Sequence, residues 1–153
     1  MPKRATALTG AAGEHFVAFH LSAMGFPVAL TRGGSPTVDL MIGDLTGSAT
    51  VSIQVKTSNW AWRAFKKKPE NNHWEWDVGK KGLHLRGENI FYAFVDLRWI
   101  ADKPARPDVF IVPSSAVADK FGPDWSRYMF WIMESEASKY RERWDLLTGK
   151  LSG

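Results

Sequence analysis

Two β-rich runs, residues 38–42 and 49–57, stand on either side of Gly43-Asp44-Leu45-Thr46-Gly47-Ser48, and no other stretch constrains the chain as tightly. The intervening segment is rich in turn-formers and the flanks in Val, Ile and Thr, which predicts an antiparallel hairpin. Successive side chains on a strand point to opposite faces. Val38, Leu40 and Ile42 therefore form one apolar row, with Asp39 projecting from the other face beside Thr37 and Met41. In the second run Val51, Ile53 and Val55 form the apolar row, leaving Ser52, Gln54 and Lys56 together opposite. Pairing the runs gathers Asp39, Gln54 and Lys56 on one patch. Two readings stand at this point. An isolated Asp with Gln-x-Lys is ordinarily the solvated face of an amphipathic hairpin. Alternatively, a carboxylate and an amide carbonyl are hard oxygen ligands of the kind Mg²⁺ accepts, and an ammonium beside them can stabilise charge at phosphorus or orient a water.

These residues resemble the PD-(D/E)xK nuclease superfamily. The family's Pro-Asp is spread out as Pro36-Thr37-Val38-Asp39, and its (D/E)-x-K corresponds to Gln54-Val55-Lys56, with fourteen residues between Asp39 and Gln54. A Glu on the preceding helix is supplied by Gly13-Glu14-His15-Phe16-Val17-Ala18, and Arg32-Gly33-Gly34-Ser35 looks most like the archaeal Holliday-junction resolvases. The match spans about residues 9 to 60. It departs at Gln54, where most members carry an acid.

The resemblance implies a restriction-endonuclease-like α/β domain, a mixed central sheet flanked by helices in the order helix, three strands, helix, strand (αβββαβ). It also implies hydrolysis of DNA phosphodiester bonds, selective for junctions or branched DNA if the resolvase likeness holds. Glu14, Asp39, the Gln54 side-chain oxygen and the Val55 carbonyl would hold Mg²⁺ or Mn²⁺, and Lys56 would act on the attacking water or on phosphorus. Family members often form a homodimer to cut two strands.

With 153 residues the chain is expected to be one domain, residues 1–153, large enough for a real core. It has no cysteine, so any metal must be held by oxygen or imidazole. No apolar run approaches the ~20 residues needed to cross a bilayer and no signal-like segment opens the sequence, so a cytoplasmic protein without a membrane partner is expected. The net charge is +4. Between residues 60 and 86, Arg63, Lys66, Lys67, Lys68, Lys80, Lys81 and Arg86 face only Glu70, Glu75 and Asp77, so this segment carries the whole excess.

The same segment interleaves those cations with Trp60, Trp62, Phe65, Trp74 and Trp76. Cations neutralise phosphates and aromatic faces stack on exposed bases, so Trp60, Trp62, Arg63, Lys66, Lys67, Lys68, Lys80 and Lys81 are candidate nucleic-acid contacts. Core tryptophans beside a solvated charge run are the plain alternative. Arg32 and Ser35, in a Gly-Gly turn that lets backbone approach a phosphate, are further candidates.

Elsewhere the pattern predicts a helix over 9–24 with Thr9 as N-cap, a row of Val17, Leu21 and Met24, and Gly25 as its end. Strands are expected over 26–31, 74–78, 90–95, 109–112 and 128–133. Asp96 ends the third of these segments, Ser114 or Ser115 caps a short helix towards Lys120, and residues 134–147 read as a closing helix. His15, His20, His73 and His84 lack metal-ligand spacing and read as surface or phosphate-adjacent. A Gly-x-Ser-x-Gly elbow and a phosphate-binding P-loop are both missing, which removes two common enzyme classes. Two rivals to catalysis remain. One is a nucleic-acid-binding module that kept the nuclease fold but lost activity with the acid at position 54; the other is an interaction protein that uses exposed tryptophans.

Overall fold

Helix α1 (Thr6–Ala23) buries Thr9, Gly13, Val17 and Leu21, residues four apart that fall on one stripe of a 3.6-residue helix. The computed structural model describes residues 6–31, 38–100, 103 and 105–151. Thr9 lies inside the helix and not at its cap, and Met24 is 44% exposed beyond its end. Gly25 stops it as anticipated. At φ 96° it adopts a conformation that favours glycine, its N–H bonds the Ser22 carbonyl, and the Phe26 N–H reaches back to Leu21. These two bonds are the Schellman closure of a helix C-terminus.

The stripe lies on a five-stranded sheet in the order β1 (Val28–Leu30), β2 (Leu40–Gly43), β3 (Thr50–Ser58), β6 (Ile90–Asp96), β7 (Asp108–Pro113). All neighbours are antiparallel except β3 and β6, which run parallel. The expected hairpin forms with Leu40 opposite Ile53 and Ile42 opposite Val51. Its turn is organised by Asp44, whose carboxylate accepts bonds from the Thr46 and Ser48 hydroxyls at 2.8 and 2.6 Å and from the Ser48 N–H at 2.8 Å. Those hydroxyls pull the Asp44 carboxyl down to about 2.

The central strand β6 is buried on both faces, as its unbroken apolar run requires. On one face Val51, Ile53, Val55, Phe91, Ala93, Val95, Val109 and Ile111 pack with Val17, Leu21, Trp144 and Leu147. The other face, Tyr92, Phe94, Phe110 and Val112, packs on Trp74, Trp76, Phe130 and Ile132 of a second sheet. That smaller sheet, in the order β4 (Trp62–Arg63), β5 (His73–Asp77), β8 (Met129–Met133), draws two strands from the β3-to-β6 crossover. Two 3-10 turns, Pro69–Asn71 and Lys80–Leu83, complete that crossover. The mixed sheet flanked by helices is the class the sequence implied, but its αβββαβ order is not met. The β3-to-β6 crossover carries β4, β5 and 3-10 turns in place of an α-helix, because Trp74 and Trp76 alternate as a strand that packs on β6.

Two local expectations are corrected. Ser114 opens α2 (Ser114–Ala118) without capping it; its hydroxyl instead bonds both the N–H and the carbonyl of Gly87, each at 3.1 Å. The single closing helix breaks into a 3-10 turn, Glu134–Lys139, and α3 (Asp145–Thr148). Between them Tyr140 and Glu142 hydrogen-bond β7, through Ile111 N–H to Tyr140 carbonyl and Glu142 N–H to Val109 carbonyl, both at 2.9 Å. Glu142 takes a φ of 53°, and the Arg141 guanidinium lies 4.7 Å from the Trp74 ring centre. Pairing with the sheet and stacking on tryptophan thus override the helical periodicity of this stretch.

Candidate metal and nucleic-acid site

Asp39 sits at the mouth of β2, where strand pairing becomes irregular. Leu40 is the partner of Ile53, yet the Asp39 N–H also bonds the Ile53 carbonyl at 2.9 Å. Two residues of one strand then oppose one of the other, a β-bulge, which re-aims the side chain that carries it. The Asp39 backbone is held on its other side by Thr31, whose N–H and hydroxyl reach the Asp39 carbonyl at 2.9 and 3.2 Å. Its carboxylate turns along the sheet and accepts the Val55 N–H at 2.7 Å, a place that strand pairing would otherwise fill.

Val55 is thereby the hub of the site. The N–H and C=O of one strand residue point to the same side, so its carbonyl also projects past the start of β2, towards Asp39. Its chain neighbours Gln54 and Lys56 point to the opposite face from Val55, as alternation requires.

Glu14 approaches from α1. Its neighbour Gly13 explains how: a Cβ at that position would collide with the Thr57 hydroxyl on β3, so only glycine lets the helix come this close. The Glu14 carboxyl is held above its ordinary value, first by burial, then by the negative charge of Asp39 and a hydrogen bond to it, with His15 offsetting part of the effect. Two carboxyls facing one another in a half-buried place leave a charge excess that a cation would relieve.

The Gln54 side-chain oxygen is buried without a hydrogen-bond partner. Leaving such an atom unmet costs about 1–3 kcal/mol. Gln54 lines the cleft of Lys56, Lys80 and Lys81 on the face opposite Val55, whereas Glu14 and Asp39 meet each other; an amide oxygen, two carboxyls and the Val55 carbonyl are each ligands a hard divalent cation accepts. Among the described residues no three His, Asp or Glu side chains gather as a metal cluster. Two carboxylates and two neutral oxygens are what the chain offers instead.

Lys56 lies between two clefts. One, of about 390 Å³, is lined by Gln54, Lys56, Gly79, Lys80, Lys81 and Tyr92. Burial pushes the Tyr92 phenol up to about 12, so it stays protonated there. The other, of about 500 Å³, runs past Thr57 and Ser58 to Arg63, Glu75 and Met129.

The predicted nucleic-acid contacts therefore separate. Lys80 and Lys81 join Gln54 and Lys56 on one cleft. Lys66, Lys67 and Lys68 are exposed on the loop between β4 and β5. Arg63 is bound to the Glu75 carboxylate at 2.9 Å and to the Trp60 and Trp62 carbonyls at 3.0 Å, so much of its donor capacity serves the fold. Trp62 packs on Trp74, ring centres 4.4 Å apart, and with Trp60 lines a third cleft beside Asp96 and Arg141. Arg32 and Ser35 lie outside the described residues. Asp96 ends β6 and accepts the Arg98 N–H at 3.0 Å.

Sequence reasoning missed an aromatic face. His73, read as a surface residue, is buried, its ring stacked on Trp131 at 4.5 Å and on Phe65 at 5.6 Å. Trp125 and Trp131 remain about half exposed nearby. The signal lay in β8, where Met129, Trp131 and Met133 alternate with the inward Phe130 and Ile132, so that both faces of the strand are apolar.

No protein-family model matches the chain, and no curated protein does. Among solved structures it is similar to a bacterial homing endonuclease, I-Ssp6803I, with a TM-score of 0.58 and 18% identity over 95% of this chain and 94% of that one. At that identity the likeness is one of fold, and the two chains share a mixed α/β architecture along nearly their whole length.

Proposed function

We propose that this protein is a divalent-metal-dependent DNA endonuclease of the PD-(D/E)xK type. The observation that carries the reading is the Asp39 carboxylate, bound to the Val55 N–H and facing the Glu14 carboxyl, one residue along the chain from the orphaned Gln54 oxygen. The fold it shares with a homing endonuclease supports the same reading. Glu14, Asp39, Gln54 and the Val55 carbonyl would hold Mg²⁺ or Mn²⁺. Once bound, the ion would supply Lewis-acid activation of water and neutralise charge at phosphorus.

The chain's own residues do the rest. Val55 fixes the Asp39 carboxylate through its N–H. Lys56, placed between the two clefts, presents an ammonium to the attacking water or to the negative charge that grows on phosphorus. Lys80 and Lys81 line the same cleft as Lys56, where they neutralise phosphates of the strand being cut. The junction and branched-DNA selectivity implied by the resolvase likeness, and assembly as a homodimer, are parts of this proposal.

The neutral amide at Gln54 favours a second reading, a binding module with a metal site too weak for catalysis. One experiment separates the two: the purified protein with Mg²⁺ or Mn²⁺ and a panel of linear, nicked, flapped and four-way DNA. Metal-dependent cleavage of any member supports the nuclease, and the pattern across the panel reads its selectivity. Binding without cleavage at all metal concentrations supports the module.

A further inference from the structure

On the outward face of the second sheet, Met129, Trp131 and Met133 from β8 and Trp125 from the preceding loop line a pocket of about 340 Å³ with Lys120 and Arg127. Trp131 is 50% exposed and Trp125 49%, while their neighbours Phe130 and Ile132 are buried on the other side of the strand. The Trp131 ring is held in place. His73 stacks on it at 4.5 Å with 22° between the planes, and Phe65 stacks on His73 in turn.

The charge of this pocket is one-sided. Its single acid, Glu75, is neutralised by the Arg63 guanidinium at 2.9 Å, with His73 Nε2 at 3.5 Å. Arg127 is exposed, and the Lys120 ammonium pairs with Glu136 at 3.9 Å, a carboxylate it shares with Lys139 at 3.6 Å. A planar, fixed, half-exposed ring bordered by two exposed cations, Arg127 and the loosely paired Lys120, is complementary to a flat ring that carries an anion. Position points the same way, because Glu75 and Met129 line both this pocket and the cleft that holds Lys56. A DNA strand lying past Lys56 thus has the pocket within reach of a nearby nucleotide.

We propose that this pocket takes one unpaired base of a DNA strand, stacked against Trp131 and Trp125 with its phosphate on Arg127 and Lys120. This rests on the nuclease reading for the identity of the strand, and it deepens that reading by favouring substrates with a base out of the helix. A second copy of this chain is a poorer occupant, since both copies would bring the same cations to the contact.

The test uses the full chain carrying Asp39→Asn, without divalent metal, so that binding is read apart from cleavage. Affinity is measured by fluorescence anisotropy for a paired duplex and for the same duplex with one unpaired base. Replacing Trp131 with Ala should reduce affinity for the second DNA about tenfold more than for the first, consistent with base–aromatic stacking. Trp131→Phe should restore most of the difference, and an abasic residue at the unpaired position should abolish it in the parent. Arg127→Ala, an exposed change, gives a second reading: it should weaken binding of the unpaired DNA more than of the paired one. Equal losses on both DNAs overturn the proposal, as does a parent that sedimentation shows to be a dimer which Trp131→Ala dissolves. Cleavage by the unaltered protein with Mg²⁺ is recorded separately, so failure of the nuclease reading is distinguishable from failure of the pocket.

Discussion

The Val55 N–H and the Asp39 carboxylate meet at 2.7 Å, and this bond makes one residue serve both the sheet and the site. A backbone donor beyond the start of β2 has no strand to pair with, and Asp39 takes that role through the bulge at its own backbone. Asp39→Asn keeps a carbonyl oxygen for Val55, whereas Asp39→Ala leaves the N–H unmet. Metal-dependent cleavage should fall by about a hundredfold or more in both, as for the loss of one charged group at a transition state. Stability should diverge, with Asp39→Ala lower by about 1–3 kcal/mol in denaturant unfolding and Asp39→Asn close to the parent. Equal stability of the two would mean that the Val55 bond contributes nothing.

The close approach of α1 to β3 gives a second expectation. Gly13 is a poor helix former, and Ala in its place would ordinarily gain about 1 kcal/mol. Here the added methyl meets the Thr57 side chain, so the helix must lift. Overpacking of this kind costs about 1–3 kcal/mol. Gly13→Ala should therefore destabilise the protein, and should raise the metal concentration needed for cleavage because Glu14 moves with the helix. A stabilised Gly13→Ala, by thermal melt, would contradict the packing described.

Much of this was readable from the residues alone. The Asp39, Gln54 and Lys56 pattern and the Gly43–Ser48 turn are local, set by alternation and turn chemistry, and the hairpin follows from them. Alternation by itself put Asp39 on the face of Gln54 and Lys56; the bulge depends on where β2 begins against β3, which no single-strand pattern encodes. The split of residues 134–147 was hidden for a similar reason. Ala137, Tyr140, Trp144 and Leu147 have helical spacing, but Tyr140 and Glu142 are taken by β7 and Arg141 by Trp74. His73 likewise became legible only when β5 and β8 were paired.

The lysines should separate by salt dependence. Each phosphate neutralised contributes about 0.9 to the slope of log affinity against log salt on duplex DNA. Lys80→Ala with Lys81→Ala should flatten that slope by up to about two, because both side chains line the cleft of Lys56. Replacing Lys66, Lys67 and Lys68 with Ala should flatten it as well if the exposed loop lies along the duplex. Lys56→Ala should instead abolish cleavage while duplex affinity, measured in Ca²⁺, stays within a few-fold. An unchanged slope in the Lys80 and Lys81 pair would remove them from the phosphate path.

Glu14 sets a pH dependence whose sign follows from its environment. Burial and the neighbouring Asp39 raise its folded value above 4.5, so the fold favours the protonated acid. That contribution is fully present below about 4.5 and disappears as pH rises through the folded value. Metal-free protein should lose stability over that interval relative to Glu14→Gln, in which the titration is gone. Asp96, also raised by burial, titrates in both proteins and cancels in the comparison. Above the interval, Mg²⁺ should restore what ionisation removed, by about 2.7 kcal/mol at a concentration one hundred times its dissociation constant. Thermal melts of the two proteins from pH 4 to 8, with and without Mg²⁺, decide it; parallel curves would detach Glu14 from the site.

The sharpest test falls on Gln54, whose buried oxygen lacks a partner. An amide can ligate a hard cation but brings no charge, so this site has one negative charge fewer than its acidic counterparts, and charge count tunes the affinity of such ions. Gln54→Glu should therefore lower the Mg²⁺ concentration for half-maximal cleavage, while Gln54→Ala should raise it or end activity. In metal-free protein the same Glu places a charge where the amide oxygen is buried without a partner, so Gln54→Glu should be less stable than the parent at pH 8 and recover on adding Mg²⁺. A buried oxygen that merely lacks a partner would show neither the lower Mg²⁺ requirement nor the recovery. Mg²⁺ titrations of cleavage rate, run beside melts of the three proteins, read both. Superimposable titration curves would mean that Gln54 does not touch the metal, and an inactive parent beside an active Gln54→Glu would assign the natural protein to binding without cleavage.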